Sequence, residues 1–282
     1  MLSKRYLIPY LLRWITKNIS IVWGMRIIRR IPGFLTDFET KILYKDTKFC
    51  IFTGETIGSR LFYCGEYEPV QMNIFLSLIS KGDLIFDVGA NIGLFSLLAA
   101  KQSIQVVAFE PSVKIWSQLK TNIQINEMED NIIAVNKAVS NESSTVLFFE
   151  SRHGNQGVGR IFSFGDSKNI SETYRISADT LDHFAYKYGI PQLIKIDIEG
   201  AEWLALKGAR RIMRLKEAPK FFIEFHPQEI EYIDGSIEEC IQLFLENGYF
   251  SYQLLDITNY YDHRWYVFSK EKIDDFPETK TK

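Results

Sequence analysis

A chain of 282 residues, 46% of them hydrophobic, has enough apolar material for one large α/β domain with additions, and neither disorder nor an internal repeat is indicated. Net charge is −2, but Lys4, Arg5, Arg13, Lys17, Arg26, Arg29 and Arg30 all precede the first acid, Asp37, so the rest of the chain is acidic. No basic stripe lies near the motifs described below, which argues against nucleic acid as a partner. Cys50, Cys64 and Cys240 are odd in number and lack metal-type spacing, which fits a reduced, cytoplasmic setting.

In the leading segment, apolar residues crowd from Leu7 to Trp23, but Arg13 and Lys17 interrupt them, whereas a spanning helix needs ~20 largely uncharged residues. No small-residue cleavage site follows, so a secretory signal is not expected. Two readings stand: amphipathic helices docked on the main domain, or a basic helix lying on an anionic membrane surface, which would be the inner face. From Lys45 to Cys64 polar and apolar residues alternate around Gly54 and Gly58, predicting the short strands of a hairpin. The expected division is 1–64 for the basic helical segment and hairpin, and 65–282 for a catalytic domain.

After a helical stretch from Val70 to Ile79, the rhythm becomes strand, glycine turn, helix, strand in LIFDVGANIGLFSLLAA and QVVAFEPSVKIWSQLKTNIQIN. Such alternation predicts a doubly wound, parallel α/β sheet with right-handed crossovers. A third strand is expected from Asn131 to Val139, then the apolar run STVLFFES and a glycine-rich loop with Gly154, Gly157, Gly159 and Gly165. That loop is read either as a mobile segment near a ligand or as a surface excursion. Next come a helix from Asp179 to Tyr188, a strand from Gln192 to Asp197, a helix from Ala201 to Arg214 and a strand from Lys220 to Phe225. A helix from Ser236 to Asn247 and strands Tyr249 to Leu254 and Trp265 to Phe268 close the series.

The most specific local signal is the strand LIFDV ending at Gly89-Ala90-Asn91-Ile92-Gly93, where small residues admit a ligand to the backbone and a helix start offers unpaired N–H groups. Asp87 would repel a pyrophosphate and attract the ammonium of a methionine moiety. The turn is also not G-x-G-x-x-G. Glu110 ends the next strand, where an acid accepts both ribose hydroxyls. As helix caps, Asp87 and Glu110 would need no ligand, but an ordered set of motifs points to S-adenosylmethionine as cofactor.

The runs DVGANIG, FEPS, NKAVS, TLDHF, LIKIDIEGAEWLALKGA and FFIEFHP, in that order, resemble the FkbM family of methyltransferases over Cys64 to Pro227. The resemblance implies a Rossmann-like class I methyltransferase fold: a seven-stranded, mostly parallel sheet with its last strand antiparallel, and S-adenosylmethionine at the carboxyl edge. It further implies O-methylation of a sugar, glycan or other small molecule, with no particular acceptor named. It brings Glu68 toward the cofactor, with Pro111 in FEPS beside Glu110, and Asn136 to Ala138 beside the adenine. Read from the residues alone, Glu68 caps the helix after it equally well, and Asn136 ends its strand in a turn.

Ligands of an open α/β sheet lie beyond the strand carboxyl ends, where Asp197, Glu199, Glu202, Glu224 and His226 gather. His226, with an ordinary pKa of ~6.5, is the expected general base. Asp197, also counted as a cofactor contact, and Glu199 orient a hydroxyl, steady the sulfonium or act as base; both are equally explained by their place at a helix start. Glu202 is read as offsetting the helix dipole. Oxygen ligands from Asp197, Glu199 and Glu224 would suit Mg²⁺, but the spacing does not demand an ion and no metal is assigned. His153, His183, His226 and His263 are scattered singly. Arg152, Arg160, Phe162 and Phe164 in the glycine-rich loop are candidate acceptor contacts or ordinary packing. The competing functions are an NAD-dependent oxidoreductase or epimerase, and a non-catalytic membrane-associated binding module.

Overall fold

The computed structural model describes residues 4–16, 36–151, 159–160, 170–254, 263–274 and 276. Helix α1 (Lys4–Thr16) packs Leu12 into the core, sets Arg13 over the Phe62 ring at 4.8 Å, and turns Tyr10, Leu11 and Trp14 outward. Lys17, Trp23, Arg26, Arg29 and Arg30 lie outside the described residues. Among the described residues no helix is long and apolar enough to cross a membrane.

Strands β1 (Glu39–Tyr44) and β2 (Thr47–Phe52) form an antiparallel hairpin turned by Lys45 and Asp46, both at positive φ. The expected strand pattern from Lys45 to Cys64 is therefore half right. Beyond Phe52 the chain is helical, with α2 (Thr56–Ser59) running into a π-helical turn, Arg60–Cys64. Leu61, Phe62 and Tyr63 are all buried, which no half-buried strand achieves with three consecutive residues.

The main series follows: α3 (Pro69–Ser77), β3 (Leu84–Val88), α4 (Leu94–Ala100), β4 (Gln105–Phe109), α5 (Val113–Ile125), β5 (Ile132–Val135), β6 (Ala138–Val139), β7 (Ser144–Ser151), β8 (Gly159–Arg160) and β9 (Ile170–Asp179). Then come α6 (Leu181–Tyr188), β10 (Leu193–Ile196), α7 (Glu202–Lys207), α8 (Arg210–Met213), β11 (Lys220–Phe225), α9 (Pro227–Glu231), α10 (Ile237–Glu246), β12 (Phe250–Gln253) and β13 (Arg264–Ser269). Local caps set several boundaries: Ser112, Thr180 and Ser236 accept the N–H of Ile115, His183 and Glu239 at the starts of α5, α6 and α10.

The large sheet has the order β12-β13-β11-β10-β3-β4-β5, and only β13 runs against the others. It is the expected Rossmann-like class I methyltransferase sheet, seven-stranded and doubly wound. Side chains alternate between two apolar layers. Ile85, Leu193 and Phe222 face α3 to α5, and Phe86, Ile194 and Ile223 face α6 to α8 and α10. Each of these six is fully buried, worth roughly 1.5–3 kcal/mol relative to exposure.

Three expectations are corrected. The strand from Asn131 to Val139 breaks at Asn136, because β5 belongs to the large sheet and β6 to a second sheet of order β6-β9-β7-β8. Strand β9, unexpected from sequence, pairs with β7 along its length. The single helix from Ala201 to Arg214 is interrupted after Lys207, where a Cβ on Gly208 would lie 2.3 Å from the Ser140 carbonyl oxygen.

Candidate active site

Strand order reverses between β3 and β10, so the chain leaves these neighbours in opposite directions and a crevice opens at their carboxyl ends. Gly89 follows β3 at φ +78°, and a Cβ there would stand 1.8 Å from the Asp197 carbonyl oxygen, so only glycine lets the two strand ends approach. The N–H groups of Gly89 and Ala90 both donate to the Phe109 carbonyl at 3.0 Å. Asn91 also takes positive φ, and its N–H donates to Glu110 Oε2 at 2.9 Å; the Ser112 N–H reaches Oε1 at the same distance. Gly93, at φ +90°, leads into α4. Burial pushes the Glu110 carboxyl up to about 7, against the pull of these two N–H groups. Asn136 donates from Nδ2 to the carbonyls of Glu110 and Pro111, both at 2.9 Å, pinning the ends of β4 and β5 together. Ala138 is buried at the start of β6.

Asp87 and Lys195 are paired in register on β3 and β10. Asp87 is fully enclosed: it accepts the Ser96 hydroxyl at 2.6 Å and lies 3.4 Å from the Lys195 ammonium. That ammonium also donates to the Gly89 carbonyl at 3.0 Å and to Asp197 Oδ2 at 3.3 Å. Burial alone would lower the Lys195 pKa, but Asp197, Asp87 and Glu68 outweigh it and keep the side chain charged. One buried cation thus joins β3, the glycine bend and the end of β10. Asp87 has no surface left with which to meet a ligand's ammonium directly.

Asp197 and Glu199 follow β10, Glu199 at φ +54°. Glu224 is the penultimate residue of β11, and His226, two residues on, takes the N-cap position of α9. Burial would raise Asp197, but Lys195 and His226 prevail and hold it below the usual carboxylate range. Burial and the charge of Asp197 push Glu224 well up. His226 is 1% exposed, with Nδ1 3.0 Å from Glu202 Oε1 and Nε2 3.7 Å from Glu199 Oε2. Burial disfavours charge on its ring, yet Glu202 and Glu199 overcome this and raise its pKa well above 6.5. The same Glu202 oxygen accepts the N–H groups of Ile198 and Gly200 at 3.2 and 3.0 Å, so the acid at the start of α7 organises the whole turn. Glu68 occupies the N-cap position of α3 in a left-handed conformation without capping it by its side chain. Instead it hydrogen-bonds Tyr67, and burial with Glu224 and Asp197 raises its pKa well up.

The structure therefore gathers Glu68, Asp197, Glu199, Glu224 and His226 at one sheet edge, beside the bend that holds Gly89, Ala90, Asn91, Gly93, Glu110, Pro111 and Asn136. Three contributors were not singled out from sequence: Lys195, Tyr67 and His263. Lys195 did leave a signal, a lysine between isoleucines in the strand LIKID, which demands a buried counter-charge. His263, just before β13, sets Nδ1 3.3 Å from Glu224 Oε1 and its ring centroid 4.3 Å from that of His226; no local pattern marks it. Arg152, Phe162 and Phe164, like most of the glycine-rich loop, lie outside the described residues, as does the side chain of Arg160.

Comparison with known proteins adds the chemistry. The family described as "Methyltransferase FkbM domain" matches residues 87–251, more than half of the chain. Methyltransferase sdnD of Sordaria araneosa is 27% identical over 204 residues, covering 62% of this chain and 70% of that protein. Hexuronic acid methyltransferase AglP of Haloferax volcanii is 25% identical over 146 residues, covering 51% of this chain and 56% of its own. A crystal structure of an FkbM methyltransferase from Methylobacillus flagellatus aligns with a TM-score of 0.47 at 20% identity, over 67% of this chain and 44% of that one. The chain thus spans only about half the length of two of these three relatives. From the family match over Asp87 to Ser251, which takes in both the glycine bend and the acidic strand ends, the chain belongs to the FkbM family of methyltransferases.

Proposed function

We propose that this protein transfers a methyl group from S-adenosylmethionine to a hydroxyl of a sugar, glycan or other small molecule. The observation that carries the reading is the contact between the glycine bend and Glu110: the Asn91 N–H of the bend donates to a buried acid at the end of the next strand, in a bend that Gly89 alone lets sit against the end of β10. These residues fit the cofactor. The backbone from Gly89 to Gly93 would take its amino-acid part, Glu110 its ribose hydroxyls, and Asn136 with Ala138 its adenine side. Bound there, S-adenosylmethionine supplies an electrophilic methyl carbon on a positively charged sulfur.

The chain's own groups then have distinct tasks. Asp87 acts through Lys195, which shapes the bend by holding the Gly89 carbonyl. Asp197 and Glu199 face the acceptor and orient its hydroxyl. His226 was expected to be the base on its ordinary pKa, but Glu202 and Glu199 hold a proton on its ring, so we assign it the task of positioning Glu199. His263 is pushed below 6.5 by burial and by His226, which favours the neutral form of its ring at pH 7.

The sugar class is supported by the hexuronic acid methyltransferase among the relatives. An NAD-dependent oxidoreductase or a non-catalytic module draws no support from the family match. The outward Tyr10, Leu11 and Trp14 of α1 support peripheral contact with the inner membrane surface in a cytoplasmic enzyme. Calorimetry with S-adenosylhomocysteine, followed by transfer of radiolabelled methyl to a panel of sugars, uronic acids and alcohols, tests the reading. Failure to bind the cofactor product at millimolar concentration overturns it.

A further inference from the structure

From the side chains at the ends of β10 and β11 and the start of β13, we infer a binding site for one divalent first-row transition metal ion. Two overlapping sets, Glu224 with His226 and His263, and Asp197 with Glu199 and His226, place one potential ligand atom per residue within 4.8 Å of each of the others in the set. Ligands about 2.0–2.2 Å from an ion stand roughly 3–4 Å apart, and one pair in each set is already so spaced: His263 and Glu224 at 3.3 Å in the first, His226 and Glu199 at 3.7 Å in the second, with His226 common to both. Five residues from three separate chain segments converge, which a solvated acidic surface does not require.

The independent observation is the support behind His226. Fully buried Glu202 accepts from Nδ1 at 3.0 Å, while its same oxygen is held by the N–H groups of Ile198 and Gly200. This holds the Nδ1 proton toward Glu202 and aims Nε2 at the cluster, where a bound ion takes the place of the proton that faces Glu199 in its absence. It is the carboxylate–histidine arrangement that orients metal-binding imidazoles. A carboxylate serving only the helix dipole would have no need of the ring. Two imidazoles among carboxylates favour Mn²⁺, Fe²⁺, Co²⁺ or Zn²⁺ over Mg²⁺ or Ca²⁺, which prefer oxygen ligands alone. The spacing in the sequence concealed this set because His263 joins it only when β13 inserts beside β11. Resting on the methyltransferase reading, the ion's position beside Asp197 assigns it to gripping the acceptor's oxygen atoms.

Full-length protein stripped with a chelator and titrated with Mn²⁺ by calorimetry and electron paramagnetic resonance tests the site, with Co²⁺ absorption as a second probe of nitrogen ligands. The expected result is one saturable site, at least ~10-fold weaker in His263→Ala and Glu224→Gln and ~10–100-fold weaker in Glu202→Gln. His183→Ala, an exposed histidine paired with Asp179, leaves affinity unchanged. Absence of saturable binding of either ion in the intact wild-type protein, or binding indifferent to His263→Ala and Glu224→Gln in folded protein, overturns the inference. Retained S-adenosylhomocysteine binding without ion binding sinks the metal site alone. Ion binding without cofactor-product binding supports the site while removing the methyltransferase reading.

Discussion

Glu202 Oε1 lies 3.0 Å from His226 Nδ1, with both side chains essentially without solvent exposure. Because that oxygen also receives two backbone N–H groups, Glu202 joins the turn after β10 to the end of β11. Glu202→Ala is expected to let the ring swing and lower kcat by about 100-fold, since misplacement of a site group by an ångström has that scale of effect. Glu202→Gln, which keeps an acceptor, recovers part of the loss. A kcat unchanged in a folded Glu202→Ala protein would remove the positioning role.

The Asp87–Lys195 pair predicts a stability effect with a particular signature. Lys195→Met leaves Asp87 buried without its counter-charge and should cost about 3–5 kcal/mol, whereas the double change with Asp87→Leu recovers much of it. Calorimetric unfolding reads this as a fall in Tm of roughly 5–10 °C for the single variant. Equal losses in both proteins would mean that the pair's charges are not coupled.

At Gly89, an alanine meets both a positive φ and the Asp197 carbonyl. The conformational strain alone is about 1–3 kcal/mol, and the contact forces β3 and β10 apart at their ends. Gly89→Ala is expected to melt earlier and lose S-adenosylhomocysteine affinity together. Gly248→Ala, also at positive φ but with open space around its Cβ, shows a stability loss without the binding loss.

Glu110 sets a pH dependence. Its folded pKa, about 7, lies above the ordinary 4.5, so the neutral carboxyl is favoured by folding. Its contribution to stability is fully present below 4.5 and is lost as pH rises through about 7. Cofactor binding runs the other way, because the ionised acid is the better acceptor for ribose hydroxyls. Affinity for S-adenosylhomocysteine is expected to fall by up to about tenfold per unit below pH 7, and Glu110→Gln flattens that slope in calorimetry between pH 5.5 and 8.5. A slope that survives Glu110→Gln assigns the proton to another group.

The alternation of apolar strands with glycine turns and amphipathic helices determined the doubly wound sheet, because local period and turn chemistry are written in neighbouring residues. The same locality made the Gly89 to Gly93 bend, Glu110 and the Asp197 to Glu202 run legible. Strand β9 escaped because its partner β7 lies across the glycine-rich loop, and the π-helical turn escaped because burial on three successive sides is a property of what surrounds it. Only the tertiary structure decided which charges meet: Lys195 against Asp87, Glu202 behind His226, and His263 beside Glu224. Electrostatics depends on distance and burial through space, so residues far apart in the chain acquire their protonation and their chemistry only when the sheet brings its edges together.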